Sequence, residues 1–251
     1  MVPSSARITL LDGAMGTELK KRGVHVPSHI TSVWSAVALQ EAPEAVCDVH
    51  LDYIEAGADV ITTNNYAVTR PLLERERMAD RLPALTRTSI DLAKRARERS
   101  SRPVQIAGSL PPLETSYRPG LVLEDGLLVD AYREMVDLLA PHVDILLCET
   151  LSCAREARAA ARAACEADLP VWLSWTMQGE VPGRLPSGET LDQAWSAVSD
   201  LRIAALLVNC CGANFVSDAI QTLRRCGPSA VGGYANNCIA VSYTHLRAHE
   251  T

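Results

Sequence analysis

Asp144-Ile145-Leu146-Leu147-Cys148-Glu149 is a short apolar run that ends on a carboxylate, and it sets the pattern for the rest of the chain. Six further runs of the same kind precede or follow it: Ile8–Leu11, Asp59–Thr63, Val104–Gly108, Val171–Trp175, Ala204–Val208 and Ala230–Gly233. Between them lie longer segments with apolar residues at helical spacing, such as Val46, Val49, Tyr53 and Ile54, or Val216, Ala219, Ile220 and Leu223. Short strands alternating with helices predict a parallel sheet with crossover helices. Thr190 followed by Gln193 has the spacing of a capping box and predicts a helix start there.

With no internal repeat and no Pro/Gly/Ser-rich linker, 251 residues read as one domain, a length typical of a single α/β barrel. The 24 basic and 30 acidic residues give a net charge of −6, with no basic stripe interleaved with aromatics, so nucleic acid is not an expected partner. No apolar stretch approaches the roughly 20 residues of a membrane span, and a cytoplasmic protein is expected. The eight cysteines are scattered along the chain, unlike a disulfide scaffold, and are expected to be reduced. Lys20–Gln40 and Leu110–Asp125 read as long loops after strands, where barrel enzymes build their sites.

Polar residues recur at the carboxyl ends of the expected strands: Asp12, Asn64 and Asn65, Ser109, Glu149, Ser174 and Thr176, Asn209 and Cys210. In a closed barrel they would converge on one mouth. Asp12-Gly13-Ala14-Met15-Gly16 lacks the spacing of a nucleotide loop, and its glycines suit close backbone approach to a small ligand beside the Asp12 charge. Glu149, at the rim of an apolar wall, suits either a ligand ammonium or a salt bridge to a neighbouring helix.

Six segments in order carry a resemblance. They are Leu11-Asp12-Gly13-Ala14-Met15-Gly16-Thr17-Glu18-Leu19, Ile61-Thr62-Thr63-Asn64-Asn65-Tyr66, Gly108-Ser109-Leu110-Pro111-Pro112, Leu147-Cys148-Glu149-Thr150-Leu151, Leu185-Pro186-Ser187-Gly188-Glu189-Thr190-Leu191 and Val208-Asn209-Cys210-Cys211. Over residues 7 to 237 the chain resembles the homocysteine S-methyltransferase family. The resemblance implies a (β/α)8 TIM barrel in which three cysteine thiolates hold zinc and the homocysteine thiol takes an open position. Cys210 matches the first ligand and is the expected catalytic and metal residue, whereas Cys211 reads as structural. Asp12 and Glu149 would hold the substrate amino group, with Asn64, Asn65, Ser109 and Asn209 as further substrate-binding candidates. The implied reaction moves a methyl group from a sulfonium donor, S-methylmethionine or S-adenosylmethionine, to the zinc-activated thiol, giving methionine. Zinc suits this chemistry because soft thiolates favour it and because it deprotonates a thiol whose ordinary pKa is about 8.5.

The family's Gly-Gly-Cys-Cys segment, which supplies the other two thiolates after strand eight, does not occur in this chain. Tyr234-Ala235-Asn236-Asn237 looks like the family's turn after strand seven, and the resemblance ends near Ile239. The expectation is therefore an incomplete barrel over 7–239, with about seven strands and the eighth missing, and a non-family tail over 240–251. In that tail His245 and His249 have the spacing of a helical metal pair but read as terminal, exposed residues. Two other readings stand beside the methyltransferase: an inactive barrel fragment that at most binds amino acids or a partner, and an unrelated barrel such as an aldolase. The latter needs a Lys or His at a strand end, and none is evident.

Overall fold

The computed structural model describes residues 8–27, 33–178, 181, 183–227 and 230–236. Cys238, His245, His249 and the boundary at 239 lie outside the described residues.

Nine α-helices are formed by these residues: α1 (Met15–Lys21), α2 (Ala38–Glu41), α3 (Pro43–Glu55), α4 (Arg70–Arg75), α5 (Leu82–Arg99), α6 (Asp125–Leu139), α7 (Ala154–Ala164), α8 (Leu191–Ser196) and α9 (Ala213–Cys226). The strands are β1 (Val60–Thr62), β2 (Gln105–Leu110), β3 (Ile145–Leu151), β4 (Val171–Trp175), β5 (Ala205–Gly212) and β6 (Ala230–Asn236). They form one parallel sheet in which sequence neighbours are also spatial neighbours. The α/β class and the parallel order are as the alternation predicted. The expected capping box is present: the Thr190 side chain accepts from the Gln193 backbone and Gln193 returns a bond to the Thr190 backbone.

Ile8–Leu11, expected as a full strand, is reduced to a single bridge between Leu11 and Val60, so the described sheet has six strands instead of seven. The reason is local. The Leu10 carbonyl takes both the Asp59 and the Val60 amides, and the Asp59 carboxylate takes the Leu10 amide at 2.9 Å. A side chain thus fills the place of a ladder bond, and Ile8 and Leu10 stay exposed. A second correction concerns Tyr234-Ala235-Asn236, expected in a turn, which continues β6 and pairs Tyr234 with Asn209.

Strand side chains alternate between two faces. Ile61, Ile106, Leu146, Cys148, Leu173, Trp175, Leu206 and Val208 face the helices in the large core. Val60, Ala107, Ile145, Leu147 and Leu207 form a smaller inner cluster, with Trp172 and Tyr234 packed against it. This parity decides the site. Continued toward the carboxyl ends, the inner face presents Thr62, Ser109, Glu149, Ser174, Asn209 and Tyr234.

Candidate active site

Glu149 is buried on the inner face of β3 and is gripped from both sides. Ser109 Oγ donates to Oε1 at 2.6 Å and Tyr234 Oη donates to Oε2 at 2.9 Å. Burial raises its pKa, while these two donors pull it back down. The sequence alternatives for Glu149 included a salt bridge to a neighbouring helix; no such pair occurs among the described residues, and its partners are hydroxyls.

Asp12 enters from the first segment, half-buried, with Oδ2 accepting the Thr62 amide at 2.8 Å and Oδ1 accepting Thr62 Oγ1 at 3.2 Å. Burial pushes its pKa up to about 7, the Thr62 bonds lower it, and the charge of Glu149 adds to the rise. Two acids that disfavour each other's charge in a desolvated site are the arrangement that an incoming ammonium group relieves. The glycines after Asp12 serve packing. A Cβ on Gly13 would lie 2.7 Å from the Tyr53 hydroxyl, and one on Gly16 would overlap the Trp34 ring. The space expected for a ligand beside them is filled by aromatic side chains.

Asn209 is completely buried and joins two strand irregularities. Its Oδ1 accepts the Thr150 amide at 2.9 Å and Ser174 Oγ at 2.7 Å. Its Nδ2 donates to Thr150 Oγ1 at 2.8 Å and to Cys210 Sγ at 3.3 Å. The β3–β4 register shifts between Cys148 and Leu151, and the β5–β6 register shifts between Asn209 and Gly212. At these bulges Thr150 and Cys210 adopt φ of 60° and 52°, in the left-handed region that is a genuine outlier for a β-branched residue such as Thr150. Strict alternation would turn Cys210 toward the helices. The bulge re-aims it, leaving its thiol beside Asn209 and within reach of the Glu149 field. Cys211 is buried in the helix-facing core, where its expected structural role places it.

Of the five non-glycine residues with positive φ among those described, four belong to this region: Trp34, Tyr117, Thr150 and Cys210. Strain concentrated in one place is held there by its surroundings. Tyr117 Oη donates to the Cys210 carbonyl at 3.2 Å, and Thr176 Oγ1 donates to the same carbonyl at 3.3 Å. Burial, and then the Glu149 charge, push the Cys210 thiol up to about 12. A thiolate beside Glu149 therefore needs a compensating cation.

Asn64 and Asn65 are buried at the carboxyl end of β1 and are bonded within the protein. Asn64 exchanges bonds with Ser35, accepting from its hydroxyl at 2.7 Å and donating to its carbonyl at 3.1 Å, which fixes the segment carrying Trp34. Asn65 accepts from Thr63 Oγ1 at 2.6 Å and donates to the Ser109 carbonyl at 2.9 Å. Trp34 and Tyr66 meet edge to face with centroids 5.9 Å apart, and the Tyr66 hydroxyl is 2.8 Å from Ser116 Oγ. Tyr66, Tyr117, Tyr234 and Thr150 were missed by sequence reasoning. The one available signal was the parity of β6, which places Tyr234 on the same face as Gly232.

Among the described residues, no group of three or more His, Cys, Asp or Glu side chains could hold a metal ion. Cys210 offers one donor, so the described donor set does not make a zinc site by itself. No helix among them is long and apolar enough to cross a membrane.

The homocysteine S-methyltransferase family model matches residues 9–249. The chain is 31% identical to Homocysteine S-methyltransferase YbgG of Bacillus subtilis, over 92% of this chain and 78% of that protein. It is 33% identical to Homocysteine S-methyltransferase of Escherichia coli, over 86% and 73%. Among solved structures, the metallated form of the homocysteine methyltransferase MmuM from Escherichia coli matches with a TM-score of 0.80 at 26% identity, covering 94% of each chain. With the family model, these relatives and the fold in agreement, the chain belongs to the homocysteine S-methyltransferase family.

Proposed function

We propose that the protein transfers a methyl group from a sulfonium donor, S-methylmethionine or S-adenosylmethionine, to the thiol of homocysteine, forming methionine. The observation that carries this reading is the inner-face trio of Asp12, Glu149 and Cys210, two carboxylates and a thiol on one desolvated surface. Homocysteine has the matching groups at matching ends, an ammonium for the acids and a thiol for the sulfur side. The strand order supports an incomplete (β/α)8 barrel, with the site at the carboxyl ends of its strands.

The chain's own residues bind, orient and exclude water. Ser109 and Tyr234 keep both Glu149 oxygens turned into the site, and Thr62 does the same for Asp12, so the substrate ammonium meets fixed acceptors. Asn209 sets the position of Cys210, and the π faces of Trp34 and Tyr66 suit the positive charge of a methyl donor. The transfer forms a sulfur–carbon bond on homocysteine as the donor's methyl–sulfur bond breaks, the donor leaves as a neutral thioether, and the homocysteine thiol proton is released to solvent. Such a displacement gains from alignment and dryness and needs no base at the reacting carbon. In this reading Cys210 is a thiolate ligand of zinc; the two further cysteine ligands that the resemblance implies are not among the described residues, and no step above runs through the metal.

The test is methionine formation by mass spectrometry from homocysteine with each sulfonium donor, in the presence of zinc. Methionine from either donor, lost in Cys210→Ser and kept in Cys211→Ser, supports the reading. Equal loss from both substitutions overturns the assignment of Cys210.

A further inference from the structure

Glu156, in the first turn of α7, is a carboxyl the proposed chemistry does not use. It is 1% exposed, and its Oε2 has no partner among the described residues. Its Oε1 accepts the Leu113 amide at 3.3 Å and lies 3.3 Å from the Tyr132 hydroxyl of α6. Tyr132 in turn donates to the Pro111 carbonyl at 2.9 Å. From the other side Thr69 Oγ1 donates to the Leu113 carbonyl at 2.7 Å. Two helices and one loop thus grip residues 111 and 113 through their backbone groups. A few residues further on, the same segment supplies Ser116 to Tyr66 and Tyr117 to the Cys210 carbonyl.

A buried carboxyl with one unpartnered oxygen is a poor way to stabilise a helix layer, since an apolar side chain of similar size would avoid the desolvation. What it does supply is an acceptor for a loop amide that would otherwise be orphaned. We propose that Glu156 and Tyr132 are positioning residues, which hold the 111–117 segment so that Ser116 and Tyr117 meet Tyr66 and Cys210 at the site. The neutral carboxyl fits this geometry. The groups around it are Arg155, which favours its ionisation, Glu114, which opposes it, and Tyr132, itself close to Cys148 and Cys153. Burial favours the neutral carboxyl, whereas the Leu113 and Tyr132 bonds favour the ionised one. The link to homocysteine rests on the proposed function; the grip on the loop does not.

The test is hydrogen–deuterium exchange by mass spectrometry on the full chain, comparing wild type, Glu156→Leu, Tyr132→Phe and Glu156→Gln. Peptides covering 109–118 should exchange about tenfold faster in the Leu and Phe variants, the equivalent of one lost hydrogen bond. Peptides from α3 should be unchanged, and Gln, which keeps an acceptor, should restore the loop. In calorimetry the Leu and Phe variants should bind homocysteine about three- to tenfold more weakly, with Gln near wild type. Unchanged loop exchange in Glu156→Leu, a Gln variant no better than Leu, or faster exchange spread over the whole chain would each overturn the proposal. The loop response with no homocysteine binding by any variant supports the grip and counts against the proposed function.

Discussion

Replacing Asn209 by Ala removes a side chain that ties both bulges together. Its Oδ1 is the acceptor for the buried Thr150 amide at 2.9 Å and for Ser174 Oγ at 2.7 Å, and its Nδ2 serves Thr150 Oγ1 at 2.8 Å. An orphaned buried amide costs about 1–3 kcal/mol, and a hydroxyl that can swing to another acceptor falls at the low end of that range. Thr150 and Cys210 also lose the support that holds them at positive φ, where strain is of order 1–3 kcal/mol each. Part of that strain relaxes once Asn209 is gone, so the expected destabilisation is about 2–4 kcal/mol. For a domain of this size each kcal/mol shifts the melting temperature by about 2–4 °C, so scanning calorimetry should show a fall of about 5–15 °C. Ser174→Ala is the control. It leaves Asn209 bonded to Thr150 on both sides and should cost about 1 kcal/mol or less. A melting temperature within about 1 °C of wild type for Asn209→Ala, or equal damage from Ser174→Ala, would refute the view that Asn209 links the two bulges.

Three further outcomes follow from buried groups. His50 is fully buried on α3 with both ring nitrogens unpartnered among the described residues, and burial lowers its pKa to about 4. Because the unfolded chain binds the proton more readily, wild type should lose stability as pH falls from about 6.5 toward 4; His50→Leu should be more stable by about 1–2 kcal/mol at neutral pH and by more near pH 5, measured by urea unfolding. Burial raises the Glu156 pKa to about 7. Its folded form therefore holds the proton that the unfolded chain releases, and stability falls as pH rises from about 4.5 to 7; Glu156→Gln should match wild type near pH 4 and exceed it by on the order of 2–3 kcal/mol at pH 8, and equal stability at pH 8 would contradict this. Ser109→Ala removes one of the two donors to Glu149, and homocysteine affinity by calorimetry should fall about three- to tenfold, with no change pointing to a Glu149 that is not held for the ligand.

The alternation of runs carried the parallel sheet, because short apolar runs between helical segments suit buried strands, and six of the seven formed them. Their position at the carboxyl ends of the expected strands then made Ser109, Glu149 and Asn209 legible as neighbours, since strand ends in a parallel sheet lie at one edge. The bulges were not legible. Nothing in Asn209-Cys210-Cys211 or Glu149-Thr150-Leu151 signals a left-handed residue, which glycine would have advertised, and tertiary hydrogen bonds from Asn209 impose it. Tyr117 reaches Cys210 across 93 positions, and Tyr66 reaches Ser116 across 50, distances over which a sequence pattern has no period to show. Asn64 and Asn65 sat at the right strand end, and their amides are bonded to Ser35, Thr63 and Ser109, partners that the sequence did not indicate. The first strand failed as an expectation because Asp59 spends its side chain on the Leu10 amide, a choice that periodicity cannot reveal.

In the proposed reaction Glu149, and with it Asp12, receives the ammonium group of homocysteine. Isothermal titration of homocysteine into wild type, Glu149→Gln and Asp12→Asn, beside a titration with the desamino analogue, 4-mercaptobutyrate, tests it most directly. The account predicts at least about a tenfold loss of homocysteine affinity in each variant, as one charge-assisted bond requires, and no such loss for the analogue. Homocysteine affinity unchanged in both variants would contradict it.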